Sequence, residues 1–185
     1  MSREFRIIPE CNVDTLLVEL MGFKRPNHQH GISNVTKEMQ EKYQNRLAIG
    51  VIDNDKIARH PYYQEFKIIE TREHFLFKHS PDTQHFIIVV TPDFEHCMFN
   101  ISEELGINPK EHGFKNVKQF KKFTRTDDVA ENQNVKQFLN RLIQKKNSPI
   151  QYLRTWIREK LNEYTFIHLH ILTSPIPPHS PATPQ

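Results

Sequence analysis

The chain has 185 residues, of which 37% are hydrophobic and 25% are charged, and its formal net charge at pH 7 is +3. This length and composition are typical of one water-soluble domain with a buried core, and they exclude a membrane-spanning protein because no apolar run approaches roughly 20 residues. The two cysteines, Cys11 and Cys97, cannot form a disulfide framework, and the N-terminus lacks a signal-peptide core, so we expect reduced thiols and a cytoplasmic location.

The N-terminal half alternates apolar strands with amphipathic helices. Residues 5–8 (FRII) are expected to form a short buried strand, and residues 12–21 a helix that Asn12 caps and Gly22 ends. A second helix is expected over 33–43. The run 47–52 (LAIGVI) predicts a strand that is covered on both faces. Further strands are expected over 65–72, 74–80 and 85–90, followed by a helix within 91–107 with Pro92 in its first turn.

Beyond residue 110 the pattern becomes helical. Apolar residues recur at helical spacing over 134–146 and over 148–161, where Ser148 is a suitable N-cap and Pro149 a suitable first helical residue. Residues 165–172 (TFIHLHIL) predict one more strand, and the Pro-rich end is expected to be disordered. The eleven histidines include no HExxH motif, so no zinc site is predicted.

These elements predict an α/β fold with a mostly parallel central sheet flanked by helices. We expect a core over 1–109, a basic helical extension over 110–164 packed on that core, and a tail over 165–185. The charge follows the same division. Residues 1–109 carry 12 Lys and Arg against 16 Asp and Glu, whereas residues 110–160 carry 13 against 5. An acidic core beside a basic extension suits a protein that holds cations next to a surface for polyanions.

Acidic residues recur where the predicted strands end. Glu10 follows the first strand, Asp53 and Asp55 follow the run at 47–52, and Glu95 lies just beyond the strand at 85–90. In an open α/β sheet, ligands collect beyond the carboxyl ends of parallel strands, so these side chains are expected to converge there. Mg²⁺ or Mn²⁺ would then offset their repulsion. The alternative is a plain polar turn at the Asp-Asn-Asp sequence.

The same stretches resemble a TOPRIM domain, the catalytic module of topoisomerases, bacterial primases, OLD-family nucleases and small ribosomal-RNA maturases. Residues 10–14 (ECNVD) match the family's EGxxD motif, with Cys11 in place of Gly, and residues 53–55 match its DxD motif. Residues 87–99 (IIVVTPDFEHCMF) resemble a later strand and Glu-containing segment of TOPRIM nucleases, some of which act in anti-phage defence.

The resemblance implies a Mg²⁺- or Mn²⁺-dependent nuclease. Glu10 would act as general acid/base or metal ligand, Asp53 and Asp55 would hold the metal, and Glu95 would complete the site. Lys56 would lie near phosphate oxygens. By analogy alone, the resemblance also implies an ATPase subunit as a partner. This chain contains no P-loop, so any ATP hydrolysis would belong to that partner, and self-association is a further expectation.

The basic extension predicts contact with nucleic acid. Phe114, Phe120 and Phe123 are interleaved with its cations and could stack on unpaired bases. The cations expected to contact the phosphate backbone are Lys118, Lys121, Lys122, Arg125, Lys145 and Lys146. The alternative is that the phenylalanines are core residues and the lysines simply solvate a helix.

Two other functions remain open at this stage. Cys11 in place of Gly favours a TOPRIM-like subunit that binds nucleic acid, or regulates a partner, without cleaving. A haloacid-dehalogenase-type phosphatase also uses a DxD motif, but that family places its nucleophilic Asp after the first strand and follows the motif with a small or hydroxyl residue. Lys56 and the position of Asp53 argue against it.

Overall fold

The computed structural model describes residues 4–54 and 61–173, which form a five-stranded mixed sheet flanked by helices. The strands are β1 (Ile7–Pro9), β2 (Ala48–Asp53), β3 (Lys67–Arg72), β4 (Phe75–His79) and β5 (His85–Val90). The helices are α1 (Asn12–Leu20), α2 (Ile32–Lys42), α3 (Pro61–Gln64), α4 (Phe94–Glu104), α5 (Val117–Thr124), α6 (Gln133–Gln144) and α7 (Ile150–Thr173). Two short 3-10 turns lie at Pro109–His112 and Val129–Glu131.

The strand order is β1-β2-β5-β4-β3. The β1–β2 and β2–β5 pairs are parallel, whereas β4 pairs antiparallel with both β5 and β3. The predicted α/β fold with flanking helices is therefore confirmed, but the prediction of a mostly parallel sheet holds only for one half. The reason is connection length: β3, β4 and β5 follow one another through links too short for a crossover helix, so they must reverse direction.

The C-terminal ends of β1, β2 and β5 lie at one edge of the sheet, which we call the carboxyl edge. Asp53 ends β2 and is paired with Val90 at the end of β5. The turn between β3 and β4 reaches the same edge, because Phe75 at the start of β4 also pairs with Val90, and the backbone N–H of Thr91 donates to the carbonyl of His74 (2.9 Å). All five strands therefore have one end at this edge of the sheet.

Helices cover both faces of the sheet. One face packs on α2 and α3, where Gly50 of β2 approaches Val35 so closely that a Cβ atom would lie 3.1 Å from the Val35 Cγ1. The other face packs on α1, α4 and the helices beyond residue 110, and Phe120 and Phe138 are fully buried in that core. The basic extension therefore shares one core with the sheet. Each buried Phe contributes roughly 1.5–3 kcal/mol of transfer free energy.

The two outer strands of the sheet, β1 and β3, differ in how far their edges are covered. A loop lies along β1, where the backbone N–H of Asn27 donates to Ile7 (2.8 Å) and that of Gln29 donates to Pro9 (3.0 Å). At the opposite side, β3 carries a bulge between Ile68 and Glu70, and most of its residues are exposed.

The C-terminal prediction is wrong in one element. Residues 165–172 continue α7 as a helix to Thr173 and do not form a strand. The alternating apolar residues suggested a strand, but no Gly or Pro interrupts the chain between Ile150 and Thr173, so the helix continues. At the start of α7 the Ser148 Oγ accepts from the Ile150 N–H (3.3 Å), as expected of a capping residue, but the helix begins at Ile150 and the predicted first helical residue, Pro149, precedes it. The predicted disorder of the Pro-rich end concerns residues 174–185, which lie outside the described residues.

Three predicted helix starts are displaced. The N-cap of α1 is Cys11 rather than Asn12, and that of α2 is Gly31 rather than residue 33. Pro92 precedes α4, whose N-cap is Asp93, because the Asp93 carboxylate accepts from the His96 N–H (2.9 Å). Gly22 ends α1 as predicted, with φ +96°.

Candidate metal centre

Two of the predicted acids, Glu10 and Asp53, meet at the carboxyl edge. Glu10 follows β1, and its backbone N–H donates to the carbonyl of Val51 (2.9 Å), which fixes it beside β2. Its carboxylate accepts from the backbone N–H of Asp53, with 3.0 Å between Asp53 N and Glu10 Oε2. The parallel pairing of β1 and β2 therefore brings together residues 43 positions apart in the chain.

Asp14 joins them from the first turn of α1. Its side chain is fully buried, and its Oδ2 accepts from the thiol of Cys11 (3.0 Å). Its Oδ1 is buried without a hydrogen-bond partner among the described residues. Burial is the main cause that raises the pKa of Asp14 to about 8, helped by the charges of Glu10 and Glu95 and opposed by the Cys11 hydrogen bond.

Asp53 lies in a similar environment. Its Oδ1 is also buried and lacks a hydrogen-bond partner within the described ranges. Burial raises the pKa of Asp53 to about 9, and the charges of Asp14, Glu10 and Glu95 act in the same direction. The charges of Asp14 and Glu95 both act on Asp53, and those of Glu10 and Glu95 act on Asp14, so these carboxylates share one electrostatic environment.

Glu95 and Asp93 reach the site from the start of α4, where α5 packs against them. The buried Glu95 carboxylate accepts from the hydroxyl of Thr124 (2.6 Å). The Lys121 ammonium lies 3.4 Å from both Asp93 Oδ2 and Glu95 Oε2. Burial disfavours the charged form of Asp93, but hydrogen bonds from His96 and the charge of Lys121 outweigh it and lower its pKa.

We call this set the acidic cluster and define it as Glu10, Asp14, Asp53, Asp93 and Glu95. It fits a hard divalent cation, since it offers only carboxylate oxygens and two of them are buried without partners in the described part of the chain. The cluster does not bring three ligand atoms within 4.8 Å of one another. In this arrangement one ion could contact at most two of these carboxylates directly, and its remaining ligands would be water or acids that move toward it.

The predicted basic residues fall into two groups. Lys118, Lys122 and Arg125 are exposed along one face of α5, at positions i, i+4 and i+7, and we call them the basic face. Lys121 lies on the same helix but faces the acidic cluster instead. At the end of α6, Lys145 is half-buried and Lys146 is exposed. Asp55 and Lys56 lie outside the described residues.

The phenylalanines of the basic extension differ in burial. Phe114 and Phe120 are buried in the core, so the prediction that they could stack on bases is wrong for both. Phe123 is exposed on α5 and remains available for stacking.

Several residues of the site were missed by sequence reasoning. Asp14 lies inside the EGxxD match and Asp93 lies two residues before Glu95, so both carried a signal that could have placed them. Thr124 carried none, because its contact with Glu95 depends on how α5 packs on α4.

A second group of potential ligands lies at the β3–β4 turn. One ligand atom each of Glu73, His74 and Glu104 lie within 4.8 Å of one another, and the buried His74 Nε2 is 2.6 Å from Glu104 Oε1. The hydrogen bond between His74 and Glu104 at the end of α4 accounts for this geometry without an ion.

Across the described ranges, no helix is both long and apolar enough to cross a membrane. No family model, curated protein or solved structure matches the chain. Function therefore has to be inferred from the geometry of the site itself.

Proposed function

We propose that this chain is a Mg²⁺- or Mn²⁺-dependent nuclease with a TOPRIM-like site. The observation that carries the proposal is the pair of buried carboxylate oxygens without hydrogen-bond partners, Asp14 Oδ1 and Asp53 Oδ1, in a cluster of five acids at the carboxyl edge. Buried polar atoms are almost always paired in folded proteins, so two such oxygens in one acidic site call for a partner, which we propose to be a divalent cation.

A divalent cation can take the place of the protons that Asp14 and Asp53 hold near neutral pH in its absence. Two like charges 4 Å apart repel by about 4 kcal/mol at an effective dielectric constant of 20, and a divalent ion between them reverses the sign of that energy. Lys121 supplies one positive charge at the rim, which neutralises part of the charge on Asp93 and Glu95. The divalent ion would bind at Asp14, Asp53 and Glu10, which are linked by the Asp53 N–H donated to Glu10 and by the charge of Asp14 acting on Asp53.

Each side chain then has a distinct part in the reaction. The Asp53 backbone N–H orients the Glu10 carboxylate, which would act as a metal ligand or as general acid/base. The Thr124 hydroxyl holds Glu95 in one rotamer, and the Lys121 ammonium can contact a phosphate oxygen of the substrate. A bound Mg²⁺ would polarise the phosphodiester and lower the pKa of a bound water.

The basic face supports nucleic acid as the substrate. Lys118, Lys122 and Arg125 project from α5, the same helix that carries Lys121 and Thr124 to the acidic cluster. A phosphate backbone bound along α5 would therefore pass close to the candidate metal centre. Such binding is independent of sequence and weakens steeply with salt.

The test is cleavage of end-labelled single- and double-stranded DNA and RNA by the purified protein with Mg²⁺, Mn²⁺ or EDTA. Asp53→Asn and Glu10→Gln keep the side-chain shape but remove a charge from the cluster. We expect each to lower the rate by about 100-fold or more, because even the outer partners of metal ligands account for 10–100-fold effects.

The matched control is Glu103→Gln, which removes an exposed charge from α4, the helix that carries Glu95. It should cleave like the wild type. Circular dichroism and urea unfolding would establish that each variant is folded. Equal metal-dependent rates for wild type, Asp53→Asn and Glu10→Gln would refute the proposal.

A second candidate function is a TOPRIM-like subunit that binds nucleic acid without cleaving it. The observation in its favour is Lys121, because an internal cation that already pairs with two acids reduces the need for a metal. This function predicts salt-sensitive binding that Lys118→Gln and Lys122→Gln weaken, with no metal-dependent cleavage of any substrate. An ATPase partner, a role in antiviral defence, self-association and a cytoplasmic location stay predictions.

A further inference from the structure

Cys11 lies beside the acidic cluster, against Asp14, at a position where the backbone does not require glycine. Its φ of −142° and ψ of 172° are extended values that any residue adopts. The TOPRIM-like EGxxD motif has Gly here, so the Cys side chain is an addition to the site that local backbone geometry does not demand. Its chemistry therefore needs a separate explanation.

The Cys11 sulfur lies directly against a buried carboxylate. Sγ is 3.0 Å from Asp14 Oδ2, while Asp14 Oδ1 is buried without a partner in the described part of the chain. The thiol is half-buried, which leaves it accessible to an ion entering the cluster. Cys11 is the N-cap of α1 and Asp14 is three residues later, so one rigid helical turn presents a sulfur and an oxygen side by side.

We propose that Cys11 and Asp14 form the sulfur-containing half of a Zn²⁺ or Cd²⁺ site that overlaps the candidate Mg²⁺ centre. Zn²⁺ binds both thiolate sulfur and carboxylate oxygen, whereas Mg²⁺ takes oxygen ligands. The charge of Asp53 acts on Cys11 and that of Asp14 acts on Asp53, but the three side chains do not bring a sulfur and two carboxylate oxygens within 4.8 Å of one another, so Asp53 would have to move to supply a further oxygen. The cluster would thus accept hard ions through oxygen alone and softer ions through Cys11.

The binding step involves no change of oxidation state. As the metal–sulfur bond forms, the S–H bond breaks and the proton leaves to solvent, so one proton is released for each ion that binds sulfur. The positive charge of the ion replaces that proton beside the Asp14 carboxylate. Zn²⁺ held in this way would occupy the space of the Mg²⁺ ion and inhibit a Mg²⁺-dependent reaction at the same cluster.

The inference rests on the proposed cation-binding role of the cluster but not on nuclease activity, so its test reads binding directly. Cd²⁺ bound to a thiolate has an ultraviolet charge-transfer absorption that oxygen ligands do not produce. We expect wild-type protein to develop this band on titration with Cd²⁺ and to lose it when Zn²⁺ is added. Cys11→Ser should abolish the band and weaken Cd²⁺ binding by at least about tenfold.

Cys97→Ala is the matched control, because Cys97 is the other cysteine and is fully buried in α4. It should retain the band. If Cys11→Ser fails to fold, Cys11→Gly replaces it, since Gly tolerates the extended backbone and restores the residue of the EGxxD motif. A band that persists in the Cys11 variant, or that disappears only in Cys97→Ala, would overturn the inference.

Calorimetry with Mg²⁺ or Mn²⁺ separates this inference from the proposed function. Mg²⁺ binding and cleavage without a Cd²⁺–thiolate band would overturn the role of Cys11 and leave the nuclease intact. The band without cleavage of any nucleic acid would support the role of Cys11 and count against the nuclease. Binding of neither kind of ion would refute both.

Discussion

Raising the pH in metal-free buffer should destabilise this protein, because two buried acids hold protons in the folded state. The pKa values of Asp14 and Asp53 are raised from 3.8 to about 8 and about 9. Near neutral pH the folded state therefore binds more protons than the unfolded state, so the free energy of unfolding falls as the pH rises. The stability that these acids contribute is complete below pH 3.8 and is lost as the pH climbs through 8 and 9.

The expected slope follows from proton linkage. Each acid lowers the free energy of unfolding by about 1.4 kcal/mol per pH unit, so the pair lowers it by up to about 3 kcal/mol between pH 6.5 and 7.5. That change is a large share of a total stability of roughly 5–15 kcal/mol. The window avoids the titration of His85, whose pKa burial lowers from 6.5. Because the folded state then binds fewer protons at His85 than the unfolded state, His85 makes the free energy of unfolding rise with pH, but mainly below pH 6.5.

The assay is urea unfolding followed by circular dichroism at the two pH values, with EDTA and then with Mg²⁺. Asp14→Asn removes one titrating group and should reduce the slope by about half, to about 1.4 kcal/mol per pH unit. Glu103→Gln, an exposed change on α4, should leave the slope of stability against pH unaltered. Mg²⁺ should reduce that slope, because it binds the ionised acidic cluster of the folded state. A wild-type stability that is constant or increases with pH in EDTA would show that the cluster is not protonated as inferred.

Three further variants test the packing around the site and the sheet. Thr124→Val removes the hydroxyl that donates to Glu95 and should lower the free energy of unfolding by about 1–3 kcal/mol, measured in urea, because a buried carboxylate oxygen loses its partner. Gly50→Ala places a methyl group 3.1 Å from Val35 Cγ1 and should lower stability by about 1–3 kcal/mol, visible as a reduced Tm. Trp156→Phe removes the hydrogen bond that the indole N–H donates to the Glu70 carboxylate of β3 (2.7 Å). It should lower the free energy of unfolding by about 1.5 kcal/mol, seen as a lower urea midpoint, and an unchanged midpoint would contradict that contact.

The sequence was most informative where a simple topological rule applies. Parallel strands end at a common edge, so the acids that follow β1 and β2 could be expected to meet, and Glu10 and Asp53 are hydrogen-bonded there. The same reasoning placed Glu95 close to them. The apolar pattern within each strand could not supply the direction of β3 and β4, because apolar strands look alike whether parallel or antiparallel. Their antiparallel direction is decided by the short links that join β3, β4 and β5.

The remaining parts of the site depend on packing between distant helices. Lys121 and Thr124 reach Glu95 because α5 docks on α4, and nothing in the local sequence distinguishes Lys121 from the exposed Lys118 and Lys122. Helix α7 was mistaken in its last third for a related reason. An alternating pattern over eight residues fits a strand, yet a helix that is already formed continues through it, since extension adds a hydrogen bond without a new nucleation step.

The loop along β1 leaves β3 as the side on which this sheet could grow. The N–H groups of Asn27 and Gln29 occupy two carbonyl groups of β1, so an incoming strand would find those acceptors taken. Lys67 and Arg72 bound β3, and the bulge between them bends it away from a regular ladder. Without the bulge, the exposed Ile68 and Ile69 would leave β3 able to pair with the same strand of another molecule. Deleting Ile69, which removes the bulge, should therefore promote fibril formation.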